Sequence, residues 1–368
     1  MNFFNKLGIS TRVGILAALL IAVTAGALSA VSYISTSNEL VNVILDEMND
    51  ATDVVRAQFL SSLDEHEDDT AFLAGEPTVI DYAQAVIGQL DEGEARSITL
   101  IQEDLESAFE AFINAKAGIF QVRLIGTVGS RAGMELVRVD AVNGQPVVIP
   151  QNELQNKADN AYYTETLGLP AGDVRFSVIN LNKENGVISE PITPTLRTSA
   201  PVYNETGQQI GIVVLNIDMN EEFTEMQDAL GTRVDRFDVF LTNPNGDYLV
   251  NTVDASREFG FEYGQSFRIQ DDFSQLSEAF ITSGIANEIP ASSEVDSNDQ
   301  AIHFLEIQYD QADPNAIIGV GIAEEYSEIL SVSNEALQNS VIITLVLIAI
   351  GATVALLMAR YLLQPLVH

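Results

Sequence analysis

The chain has 368 residues, a formal net charge of −36 and no cysteine, yet its mean hydropathy is +0.14. All 53 acids lie between Glu39 and Glu335, where 14 basic residues leave a balance of −39, and only Lys6, Arg12 and Arg360 fall outside that segment. Such acidity excludes a nucleic-acid binder, which needs cations for the phosphates, and apolar runs gathered at the two ends exclude a plain soluble domain.

After a short cytoplasmic N-terminus, 1–12, residues 13–34 read VGILAALLIAVTAGALSAVSYI, 22 residues without a charge. As a helix the run spans about 33 Å against a bilayer core of about 30 Å, so it predicts a first transmembrane helix. A cleaved signal peptide is the competing reading, since Lys6 and Arg12 precede the run and Ala27-Leu28-Ser29-Ala30 resembles a cleavage site. The run exceeds the roughly 7–15 residues usual for a signal core.

Residues 35–117 read as a stalk and helical region. Leu40, Val43, Ile44, Met48, Val54, Val55, Phe59, Leu60 and Leu63 recur at helical spacing and predict a long stalk helix over 36–75. A second helical stretch runs from about Thr78 to Ala115, with Leu105, Phe109 and Phe112 on one face. The acidic run Asp64-Glu65-His66-Glu67-Asp68-Asp69 reads as a solvated helix end and lacks the spacing of a calcium loop.

From residue 118 the texture changes to strands broken by turn residues: Asn143-Gly144, then Asn204-Glu205-Thr206-Gly207, then Pro244-Asn245-Gly246. The hairpin pattern occurs twice, in 118–218 and 237–323, and predicts an α+β fold of two antiparallel-sheet lobes joined by a helix or turn within 219–236. Residues 322–339 contain no Pro or Gly. They predict a helical connector, 324–340, running unbroken into a second transmembrane helix, 341–359 (VIITLVLIAIGATVALLMA). Arg360, with Lys6 and Arg12, places both termini in the cytoplasm and residues 35–340 in the periplasm or outside the cell. A cysteine-free exported domain fits a bacterial periplasm.

An enzyme reading finds no support. His66, His303 and His368 are far apart, and no HExxH, phosphate-binding Gly loop or GxSxG occurs. Paired carboxylates are expected by chance among 53 acids. The expectation is no catalysis, no cofactor and no metal.

The order of membrane helix, long helix, two sheet lobes and membrane helix resembles the double Cache (PDC-type, PAS-like) sensor domains of bacterial transmembrane receptors. The stretches that carry the resemblance are FQVRLIG with GMELVRVD, the segment from Leu154 to Asp218, and VFLTNPNGDYLVN with EFGFEYGQSFRIQDDF. They are similar to the double Cache domains of sensor histidine kinases, diguanylate cyclases and some chemoreceptors. Residues 360–368, which begin Arg360-Tyr361-Leu362-Leu363-Gln364-Pro365-Leu366, resemble the opening of a HAMP signalling helix. The resemblance implies a homodimeric membrane receptor for a small extracellular ligand, passing its signal to a cytoplasmic module that lies outside this chain: a histidine kinase first, a diguanylate cyclase or chemoreceptor otherwise. A protein-interaction module with a vestigial pocket is the alternative.

In the Cache family the distal lobe holds the ligand between its sheet and a covering loop, here about 150–176. Arg123, Arg138, Arg175 and Arg197 fall on that lobe. Four guanidinium groups suit bidentate binding of a carboxylate or phosphate, so an anion is a candidate ligand. Equally, each can pair with an internal acid, for example Arg123 with Glu135 across the first hairpin. Tyr162 and Tyr163 sit in the cover, where they close over a ligand or simply pack. Amino-acid-binding members carry a basic residue followed by aromatics in the cover and an acid on the strand that ends the lobe. Here the cover reads Lys157-Ala158-Asp159-Asn160-Ala161-Tyr162-Tyr163, and Asn216 stands at the acid's place. An α-amino acid ligand is therefore disfavoured.

Overall fold

The computed structural model describes residues 9–88, 95–233, 235–273, 276, 294–295 and 300–363. The chain forms two compact units, one of 49–296 with 302–323, the other of 1–48, 297–301 and 324–368. Helix α1 is a single element, Ile9–Ala74, so the first apolar run and the stalk share one helix of 66 residues. The acidic run 64–69 lies inside α1 and not at its end, and His66 within it is buried. Helix α1 stops at Gly75, and Pro77 starts α2 (Pro77–Val86) at a position where its missing N–H costs nothing. Helix α3 is Ala95–Ala115, so the second helical stretch is two helices.

The distal sheet is built from β1 (Ile119–Gly126), β2 (Glu135–Val142), β3 (Gln145–Val148), β4 (Arg175–Phe176), β5 (Asn180–Leu181), β8 (Pro194–Tyr203) and β9 (Gln209–Asp218). Its order is β3-β2-β1-β9-β8-β4, with β5 also on β8. Between β3 and β4 lies the short helix α4 (Ala161–Thr164) in the cover, and between β5 and β8 the hairpin β6 (Lys183–Glu184) and β7 (Val187–Ile188). The turn Asn143-Gly144 has both residues at positive φ, 52° and 73°, the backbone a two-residue hairpin demands.

Strands β8 and β9 are buried along nearly their whole length because the sheet is covered on both faces. Alternation sorts the faces. Thr198 meets Thr70 of α1 at 2.6 Å, while its neighbour Ser199 meets Thr166 of the cover at 2.7 Å. Arg197 shares the cover's face. Register then lays out two polar rows on that face: Arg197, Asn216, Gln121 and Asp140 across β8-β9-β1-β2, and beside it Ser199, Val214, Arg123 and Arg138.

Helix α5 (Met219–Asp228) links the lobes, its first turn capped by Asp218, which accepts from the Asn220 N–H at 2.9 Å. The proximal sheet comprises β10 (Asp238–Thr242), β11 (Tyr248–Asn251), β12 (Glu294–Val295), β13 (Gln300–Gln308) and β14 (Ile317–Glu325), in the order β11-β10-β14-β13-β12, with helix α6 (Ile269–Asp272) beside it. Phe240, Tyr248, Phe273, Ile302 and Phe304 form its core. Gly319 admits no side chain, since a Cβ there would strike Thr242 and the Phe304 ring.

The connector differs from the expected unbroken helix. Strand β14 continues to Glu325, a one-turn helix α7 (Tyr326–Ile329) follows, and α8 (Ser331–Leu363) begins after Leu330. Both α1 and α8 hold stretches long and apolar enough to cross a membrane. Within their unit, the Tyr33 hydroxyl donates to Asn334 Oδ1 at 3.0 Å, and Gly351 lets Ile21 approach closely. Residues 1–8 of the N-terminus and 364–368 of the HAMP-like segment, His368 included, lie outside the described residues.

Candidate functional site

A cavity of about 360 Å³ lies between the cover and the distal sheet, lined among others by Arg123, Arg197, Lys157, Tyr162, Asn180 and Asn182. Arg197 projects from β8 and is 8% exposed. Its Nη1 donates to Asn180 Oδ1 at 2.9 Å and its Nη2 to Asn182 Oδ1 at 3.1 Å. Both partners are neutral amides, and among the described residues no carboxylate lies within ion-pair distance of it. Burial, with Arg123 nearby, draws its pKa down to about 10.

Arg123 is more deeply buried, at 1% exposed. Its Nη1 donates to the Tyr162 hydroxyl at 3.1 Å and lies 3.4 Å from Glu135 Oε1, the pairing across the first hairpin that the sequence suggested. Its Nε and Nη2 have no hydrogen-bond partner. Nη2 instead faces the Glu184 carboxylate at 3.6 Å.

Arg123 and Arg138 stand directly opposite each other on β1 and β2, an unfavourable cross-strand pair unless acids intervene. Three do. Glu135 lies 3.4 Å from Arg123 and 3.6 Å from Arg138, Asp140 accepts from Arg138 Nη2 at 2.8 Å, and Glu184 reaches both arginines and Lys157. Burial by itself would push the Glu184 carboxyl up, but Arg123, Arg138 and Lys157 pull it down to about 2. Burial, then Arg123, lowers the pKa of Lys157, against the pull of Glu184 and Glu135.

Of the residues singled out from sequence, Arg123, Arg197 and Tyr162 come together at the cavity. Arg138 lines a neighbouring cavity of about 820 Å³ instead. Tyr163 packs on Ile125, Ile212 and Val214, with its hydroxyl donating to the Gly126 carbonyl at 3.3 Å, and burial raises its pKa. Arg175 turns to the proximal lobe and pairs with Asp310 at 3.0 Å. Asn216 is fully buried in the sheet, donating to Gln121 Oε1 at 2.8 Å and Asn182 Oδ1 at 3.3 Å, so it orients one of Arg197's acceptors and does not line the cavity. Lys157, Asn180, Asn182 and Glu184 were not singled out. Asp313 and Asn315, from the β13–β14 loop of the proximal lobe, also reach the cavity. Among the described residues no group of three or more His, Asp or Glu side chains is placed to hold a metal.

Residues 95–276 match the sequence profile of the family Bacterial histidine kinase, sensor domain. The matched stretch resembles a sensor domain of that kind and takes in α3, the distal sheet, α5 and the first two strands of the proximal sheet. Among solved structures the chain is similar to the extracellular domain of a histidine kinase, with 17% identity over 80% of this chain and 95% of the other at a TM-score of 0.60. It is also similar to a domain of a sensory box/GGDEF family protein from Vibrio parahaemolyticus, with 17% identity over 80% and 98% at 0.58. A second histidine kinase extracellular domain matches at 10% identity over 80% and 99%, with a TM-score of 0.51. At these identities the likeness shows the fold. No curated protein matches the chain.

Proposed function

We propose that this chain is a two-pass bacterial membrane receptor, both termini cytoplasmic, whose distal lobe (118–236) binds a small organic anion outside the membrane. The observation that carries the reading is Arg197, a buried guanidinium that faces a cavity and, among the described residues, pairs with amides alone. A buried charge without a countercharge is unfavourable, and a carboxylate at the cavity would supply one to Arg197. The open cavity speaks for a ligand over a vestigial pocket.

Occupancy is relayed by the proximal lobe (237–323), the connector (324–340) and the second membrane helix (341–359) to a cytoplasmic module; the likeness of 95–276 to histidine kinase sensor domains supports a histidine kinase, with a diguanylate cyclase or chemoreceptor as the other readings. The receptor works as a homodimer in which ligand shifts an equilibrium between two packings, by as much as its affinity for them differs. The sites themselves do no chemistry.

The test is calorimetric titration of the full chain in lipid nanodiscs with a panel of small mono- and dicarboxylates, amines and sugars, beside Arg197→Gln. The expected result is binding of at least one carboxylate, weakened about 10-fold or more in the variant, as for a lost charge-assisted pair. No carboxylate binding, or equal binding to Arg197→Gln, would sink the reading.

A further inference from the structure

Glu184 is shared by three buried cations. Its carboxylate lies 3.6 Å from Arg123 Nη2, 3.4 Å from Arg138 Nη1 and 3.4 Å from Lys157 Nζ, and it accepts from the side-chain amides of Gln121 and Gln155 at 3.2 and 2.7 Å. It stands on β6, in the hairpin that turns at Asn185-Gly186. Lys157, Asn160 and Lys183 line both the ligand cavity and the 820 Å³ cavity beside it, whereas Glu184 lines only the second. The carboxylate therefore sits where the far end of a longer ligand would lie.

Charge decides what the site accepts. Four cations, Arg123, Arg138, Lys157 and Arg197, face three carboxylates, Glu135, Asp140 and Glu184, a balance of +1. Lys183 does not alter it, being partly exposed and paired with Glu262 at 2.7 Å. Glu165, exposed, and Asp313, half-buried, also line the ligand cavity but stand outside this buried cluster, where solvent screens them. One monoanion neutralises the cluster. A dianion overshoots, and its second carboxylate meets Glu184, a like-charge juxtaposition in a desolvated place.

We propose that Glu184 is the specificity-determining residue of this site: an internal carboxylate that fills the second anion position and restricts the cavity to ligands carrying one negative charge. This rests on the anion-binding reading above and names the ligand class, small monoanions. Such exclusion by a built-in repulsive group is how a site separates ligands that its attractive contacts would both hold.

Butyrate and succinate, four-carbon acids differing by one carboxylate, make the test, titrated calorimetrically into the full chain in nanodiscs. Wild type binds butyrate about 10-fold or more tighter than succinate. Glu184→Gln, neutral and of the same shape, gains succinate affinity by about 10-fold or more, while Glu184→Asp keeps the wild-type preference. Circular dichroism and thermal midpoints establish that each variant is folded. A folded Glu184→Gln with unchanged preference overturns the proposal and leaves anion binding standing. Wild type binding succinate as tightly as butyrate overturns it without any variant. If neither acid, nor any other small carboxylate, binds either protein, the anion reading falls and takes the proposal with it.

Discussion

Asp310 Oδ1 accepts from Arg175 Nη1 at 3.0 Å, joining β4 of the distal lobe to the β13–β14 loop of the proximal lobe. The same carboxylate accepts the Phe176 N–H at 3.2 Å through Oδ2. Tyr309, next in sequence, donates its hydroxyl to the Ser177 carbonyl at 3.0 Å and meets the Phe176 ring edge-on. Further along, Glu262 accepts from the Leu181 N–H at 3.3 Å and from Lys183 at 2.7 Å. The cavity wall at 177–183 is thus bound on its outer side to the proximal lobe.

Asp310→Ala leaves a largely buried guanidinium and a buried backbone N–H unpartnered. The expected cost is about 2–4 kcal/mol, read as a lowered unfolding midpoint. Asp310→Asn keeps an acceptor for one of the two and costs about half as much. A loss of under about 0.5 kcal/mol in Asp310→Ala would show that the clasp is solvated and contributes little.

The acid limb of stability should carry a signature of Glu184. Its folded pKa, about 2, lies below the ordinary 4.5, so its ion pairs stabilise the fold above about pH 4.5 and that contribution is lost as pH falls toward 2. The magnitude is on the order of 3 kcal/mol for a shift of this size. Thermal midpoints of wild type and Glu184→Gln, compared from pH 7 to 3, are expected to converge on acidification. A gap between them that stays constant with pH would contradict the assignment.

Much of the fold was legible because its signals are local. Uncharged runs of spanning length, the Asn143-Gly144 turn and the β-branched apolar run of β9 each announce an element within a few residues. The break at Leu330 gave no such signal, since nothing in Tyr326-Ser327-Glu328-Ile329-Leu330 disfavours a helix and it is the end of β14 at Glu325 that sets where the helix starts. At the site, rare cations among many acids pointed to Arg123 and Arg197. Glu184 was invisible, one acid among 53, and acquires its role only when β1, β2 and the cover bring Arg123, Arg138 and Lys157 to it. Arg175 misled for the complementary reason, because its partner Asp310 lies on the other lobe.

The balance of −39 between Glu39 and Glu335 implies self-repulsion that added salt relieves. Unfolding midpoints of the full chain should rise from 20 mM to about 0.5 M NaCl, where the Debye length falls to roughly 4 Å. The buried cluster around Glu184 is screened far less, so the difference between wild type and Glu184→Gln is expected to survive that salt. Midpoints that stay flat or fall would mean that the acids are spaced widely enough not to repel.

Anion binding should weaken at alkaline pH, because Lys157 and Arg197 both lose their protons more readily than usual. Burial, then Arg123, holds its pKa below the ordinary 10.5 when the cavity is empty. A bound carboxylate favours the ammonium and raises that pKa, so binding takes up protons wherever the empty site has lost them. Affinity for butyrate is therefore highest below the lowered pKa and falls as pH rises through it. Arg197, drawn down to about 10, adds a loss of its own. Lys157→Gln should bind butyrate more weakly at neutral pH, by about 10-fold for one removed charge, and show only the loss that belongs to Arg197. Titrations from pH 7 to 10.5 that give one flat affinity in wild type would mean that neither cation is coupled to the ligand.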